Sequence, residues 1–220
     1  MRSLGRLVRG LSALFWGLPI ALVVCVQTAT SSWLHALGQP GVLVPVAVTS
    51  LLFYGLHLLN DFQRQERIWV LALDRARIAG LVNIGLAPFL HWHERLPEVP
   101  FFSYAVSVMA LSALLFLFNL NLVLQRLAAM LPDETLRDET RVFTSLNGYL
   151  LILIPVFLAV SICLLQIRQP PQAIVLILRL LEPFGQWILL FLILLPMAIT
   201  MSLIWKIKEA ILASVFGAEH

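Results

Sequence analysis

Two histidines flank a tryptophan in His91-Trp92-His93, Glu94 adjoins them, and His35 stands in a separate polar stretch. Three imidazoles and a carboxylate are the donor set of a zinc or copper site, so these four residues are the metal-binding candidate, placed on an outer face. Alternating histidines are weak ground for a metal centre, and histidines solvated by lipid headgroups at a membrane surface are the plainer reading. No resident cofactor is therefore expected. A membrane haem would need two axial histidines at similar depth in different spans, and His57 and His91 fall near opposite faces.

A second polar group is set within or beside apolar runs: Tyr54, His57, Asn83, Asn119, Asn121 and Asn147. Buried amides bond from helix to helix and hold a bundle together, which is preferred here over a polar substrate pocket. There is no serine elbow, no His-Glu-x-x-His, no phosphate loop and no Cys-x-x-Cys, so no enzyme is expected. All 12 acids and all 15 Lys and Arg lie outside the apolar runs. Proton relays and carboxylate-driven pumps place ionisable groups at mid-membrane, and this chain offers none there.

The elements that must position these residues are helices in lipid. The chain of 220 residues is 60% hydrophobic and 12% charged, a membrane composition. Its apolar runs predict an all-α bundle of six transmembrane helices at 11–29, 42–59, 78–92, 101–125, 144–166 and 184–205, forming a single integral membrane domain over 1–220 with no soluble domain. The third run is fifteen residues long and contains Pro88, whereas a crossing takes about 20, so five spans plus a re-entrant segment is the alternative.

Charge favours six. With six spans, Arg2, Arg6, Arg9, Arg64, Arg67, Arg75, Arg77, Arg126, Arg137, Arg141, Lys206 and Lys208 fall on one side, and Arg95, Arg168 and Arg179 on the other. Twelve against three is the asymmetry of cytoplasmic loops, and five spans give only ten against five. Both ends of the chain are then cytoplasmic, in a bacterial-type inner membrane. The net charge of +3 is spread over loops facing one leaflet, which points to an anionic inner leaflet as partner rather than nucleic acid. The basic, then apolar opening also has the outline of a signal peptide, but its long apolar run favours an uncleaved first span. Cys25 and Cys163 are expected as buried structural thiols rather than a disulfide.

Residues 60–77 place Phe62, Trp69, Leu73 and Ala76 on one helical stripe and Arg67, Asp74 and Arg77 on another, predicting a helix along the inner surface. Before the fifth run, Asp133 and Glu134 after Pro132 read as a helix start, with Asp133–Arg137 and Asp138–Arg141 as expected ion pairs. Arg67, Asp74, Arg77, Glu134, Arg137, Asp138 and Arg141 are the candidate surface for another membrane or cytoplasmic protein. A short pattern repeats: Asp74-x-x-Arg77 with Asn83 and Pro88, and Asp138-x-x-Arg141 with Asn147 and Pro155, while Pro19 marks the first run. Residues 173–181 predict a short outer helix broken at Pro183. The expected function is a non-enzymatic multi-pass subunit of a larger assembly, either a scaffold or the membrane-embedded part of a transporter. The alternative is an outer-face metal-binding or redox membrane protein.

Overall fold

Lipid offers no hydrogen-bond partner, so an apolar run must satisfy its backbone within itself, and only helices do so one segment at a time. Among the residues it describes, the computed structural model accordingly has six α-helices: α1 Arg2–Thr30, α2 Leu43–Leu59, α3 Arg67–Arg95, α4 Pro100–Ala129, α5 Glu134–Gln166 and α6 Gln172–Phe216, with a 3-10 turn at Gln39–Val42 before α2. It describes residues 2–31, 33, 37–60, 62–63, 65–66, 67–96, 98–131, 133–166 and 172–216, and the side chains of these except 2–3, 29–30, 161–162, 164–166, 172–189 and 214–216. Among the described residues, five helical stretches are long and apolar enough to cross a membrane, in α1, the turn with α2, α4, α5 and α6.

Each helix packs against the next, α1 returns to α6, and α6 also touches α4. The α1–α2 pair is drawn together by glycine. A Cβ at Gly10 would sit 2.8 Å from the carbonyl oxygen of Gly55, and one at Gly55 would sit 2.8 Å from Leu14 Cγ, so neither position has room for a side chain.

α3 falls outside the five because Arg67, Asp74, Arg75 and Arg77 occupy its first half, yet it runs beside α4 along its length. Ser112 reaches the Ala79 carbonyl, Phe89 meets Phe101 and Phe102, Trp92 stacks on Phe102, and His93 lies 3.5 Å from Ser103. At 29 residues, α3 is about 43 Å long, enough to match its neighbour. The expected surface helix over 60–77 is corrected by this continuity. Trp69, Leu73 and Ala76 do form a stripe, but the stripe runs on through Gly80, Asn83, Ala87 and Leu90, and tertiary packing on α2 and α4 draws the segment into the bundle. A second correction concerns α6, whose helix passes through Pro183 without a break. Proline removes one backbone donor and can kink a helix without ending it, and the turns on either side of Pro183 carry this one on.

Alternating direction brings Arg6, Arg9, Arg67, Arg75, Arg77, Arg126, Arg137, Arg141, Lys206 and Lys208 to one end of the bundle and Arg95 to the other. The core gathers toward the basic end, around Leu7, Leu11, Trp69, Leu124, Leu127 and Ile207. On α5, no described residue beyond Pro155 is buried. Apolar side chains exposed there meet acyl chains without cost.

Candidate functional site

Among the described side chains of α6, the buried face carries Leu192, Pro196, Thr200, Leu203, Ile204, Ile207 and Ile211, and Thr200 is the one hydroxyl among them. That hydroxyl is where three helices meet. Asn121 Nδ2 of α4 and Asn147 Nδ2 of α5 each donate to Thr200 Oγ1 at 2.9 Å, and Thr200 Oγ1 donates to the Pro196 carbonyl at 2.8 Å. Asn121 Nδ2 also donates to the Leu117 carbonyl at 2.8 Å. All three side chains are essentially inaccessible, so both lone pairs of one oxygen and its proton are in use. Asn147 Oδ1 has no hydrogen-bond partner. The groups are neutral amides and an alcohol; the junction can fix helix register, and it has no ionisable group with which to move a proton.

Of the polar interior expected from sequence, Asn83, Asn121 and Asn147 are buried. Asn83 Oδ1, like Asn147 Oδ1, has no partner. Tyr54 is corrected to an exposed position, because α2 turns Val48, Leu52, Gly55, Leu56 and Leu59 inward and Tyr54 lies on the opposite face. His57 is exposed too and pairs with Arg77. Asn119 is half-buried and bonds its own helix at the Leu115 carbonyl, 2.7 Å away. Thr200 was not anticipated. Its signal was a lone hydroxyl four residues after Pro196, in register with the apolar face of α6.

At the basic end, Arg77 is drawn into the fold. Its guanidinium lies 3.0 Å from His57 Nδ1, 3.5 Å from Asn60 Oδ1 and 3.6 Å from Asp74, tying α3 to the end of α2. Lys206 pairs with Glu139 and lies over the Phe143 ring. The two ion pairs expected within α5 do not form. Asp133 instead caps the helix, accepting from the Leu136 amide at 3.1 Å and the Thr135 hydroxyl at 2.6 Å, while Arg137 donates to the Ala129 carbonyl at 3.1 Å. Those bonds to the charged carboxylate, the Thr135 hydroxyl foremost, hold the Asp133 pKa below its ordinary value. Arg67, Glu134, Asp138 and Arg141 are exposed.

At the other end, His91 is 1% exposed, His93 is half-buried beside Ser103, and Glu94 is half-buried. Two residues apart on a helix is about 200°, so His91 and His93 project from different faces. His35 lies outside the described residues, and among those described no three His, Cys, Asp or Glu side chains are grouped to hold a metal. Cys25 and Cys163 are both free thiols, exposed on the outside of the bundle rather than buried. No protein-family model, curated protein or solved structure matches the chain.

Proposed function

We propose that this chain is a non-enzymatic, six-span membrane subunit that works within a larger assembly, as a scaffold or as the membrane-embedded part of a transporter. The observation that carries this reading is the Asn121–Thr200–Asn147 junction, where three buried polar side chains bond one another and lock α4, α5 and α6. A carrier working alone needs polar interior groups left for its solute. Six crossings are supported by the pairing of α3 with α4 over matching lengths, and cytoplasmic chain ends by the basic residues gathered at one end. The surface offered to a partner is the set of exposed charges left over there, Arg67, Glu134, Asp138 and Arg141. Arg77 belongs to the fold.

The test is purification of the intact chain from its native membrane in mild detergent, with its partner followed on a native gel. Charge reversal at both Arg67 and Asp138 should dissociate the partner while membrane abundance stays constant. A monodisperse, partner-free chain that transports a solute in liposomes would overturn the reading.

A further inference from the structure

Between α4 and α5, at the basic end, lies an open groove of about 350 Å³. Its walls change character along their length. At the mouth are the guanidinium-bearing Arg141 and the amide of Gln125; next come Thr144 and Ser145; beyond them the lining is Phe118, Leu122, Tyr149 and Ile152. From Arg141 to Ile152 is about 16 Å along the helix, the reach of a headgroup and upper acyl chain. Two observations point to a ligand. Thr144, a lining residue, is 6% exposed, and its hydroxyl is enclosed without a hydrogen-bond partner. Arg141 makes no ion pair in the structure, its expected partner Asp138 being turned to solvent, and no acidic side chain lines the groove. Gly148 keeps the floor low, since even a Cβ there would reach ordinary contact with Phe118 at 3.5 Å.

We infer that this groove binds one phospholipid with an anionic headgroup. The phosphate is held by Arg141 through charge-assisted hydrogen bonds, with Ser145 and Gln125 as further donors, and one acyl chain lies along Phe118, Leu122 and Ile152. A zwitterionic lipid fills the same apolar wall but places its own cation against Arg141, so the site selects for net negative charge. The inference requires only that the bundle is embedded in lipid; it takes Arg141 out of the surface proposed for a protein partner, which keeps Arg67, Glu134 and Asp138.

The full-length chain, delipidated and then offered an equimolar mixture of phosphatidylglycerol and phosphatidylcholine, is read by native mass spectrometry. One phosphatidylglycerol per chain is expected, with about a tenfold preference that Arg141→Gln abolishes. Arg141→Lys, which keeps the charge, should retain at least half of the preference; equal loss in both variants marks a damaged fold and sinks the proposal. Gly148→Leu should displace both lipids by filling the groove. Arg126→Gln, a neighbouring charge outside the lining, should change nothing, and a loss as large as with Arg141→Gln would overturn the site in favour of bulk charge. Displacement of the lipid by millimolar glycerol 3-phosphate would likewise overturn it, by showing a site for soluble phosphate.

Discussion

α3 and α5 carry the same local pattern, Asp-x-x-Arg with an Asn six residues after the Arg and a Pro beyond, and the structure uses the two copies in opposite ways. On α3 the arginine is engaged and the amide is idle: Arg77 meets Asp74, His57 and Asn60, while Asn83 Oδ1 has no partner. On α5 the arginine is idle and the amide engaged, Arg141 facing the groove and Asn147 bonding Thr200. Neighbours decide the difference. α3 lies between α2 and α4, where Arg77 finds the polar end of α2; α5 lies between α4 and α6, where Asn147 finds a hydroxyl. A residue pattern states what a helix can offer, and packing determines which offer is taken up.

The comparison is broken most directly at the amides. Thr200→Val keeps the shape, leaves the buried Asn147 without its partner and removes one of the two Asn121 Nδ2 bonds, and should destabilise the bundle by about 2 kcal/mol in denaturant titrations in micelles. Asn83→Leu should fall within about 0.5 kcal/mol of the parent or above it, since the amide removed has an unmet carbonyl. Equal losses at the two sites would mean that Asn83 has a partner as important as Thr200.

At the arginines the order reverses and the effect shrinks. Arg77→Ala should cost about 1 kcal/mol, a charge-assisted bond discounted for the solvent that reaches it, and Arg141→Ala less than about 0.5 kcal/mol. Unfolding midpoints of the two single variants and the double variant check this. The sites make no contact, so their effects should add.

Hydropathy and charge made much of the fold legible in the sequence: all six apolar runs lie in helices, five of those helices are long and apolar enough to cross a membrane, and the bias of Arg and Lys matches the geometry of one bundle end. The rest depended on neighbours. The charged half of α3 reads as a surface helix until α2 and α4 are known to cover Trp69 and Leu73. Asn121 and Asn147 were visible as interior amides, but they are 26 residues apart, and only packing shows that a hydroxyl on a third helix joins them. Tyr54 misled because apolar neighbours in sequence say nothing about which face of α2 is turned outward. The start of α5 shows the same limit: Asp133 and Arg137 are well spaced for an ion pair, yet each has a better partner in a helix terminus.

A smaller effect sharpens the contrast at the glycines. A Cβ at Gly80 would stand 3.4 Å from both Phe53 and Phe116, at the inner limit of ordinary contact with two rings; one at Gly148 meets Phe118 alone, at 3.5 Å. Gly148→Ala should therefore stabilise by about 0.5 kcal/mol and Gly80→Ala by no more than that. Thermal shifts in a single detergent are sufficient to rank them.

The smallest expected effect lies at the two helix starts. α5 begins with Asp133, whose carboxylate accepts from the Leu136 amide and the Thr135 hydroxyl; α3 begins after Glu66, whose side chain makes no cap bond. Because these bonds favour the ionised form, the folded pKa of Asp133 is lowered below its unfolded value. The sign follows from linkage: the cap's contribution is fully present above the unfolded carboxylate pKa and is lost as pH falls through the lower, folded one. Acidification through that range should fray the first turn of α5, seen as faster hydrogen exchange at Leu136 once intrinsic rates are corrected for pH. The first turn of α3, at Val70, should show no corresponding step. Asp133→Asn keeps a good capping side chain that does not titrate in this range, so it should protect Leu136 at every pH. If Leu136 still opens on acidification in that variant, the sensitivity belongs to another carboxylate near the α5–α6 contact, with Glu139 beside Lys206 the first to examine.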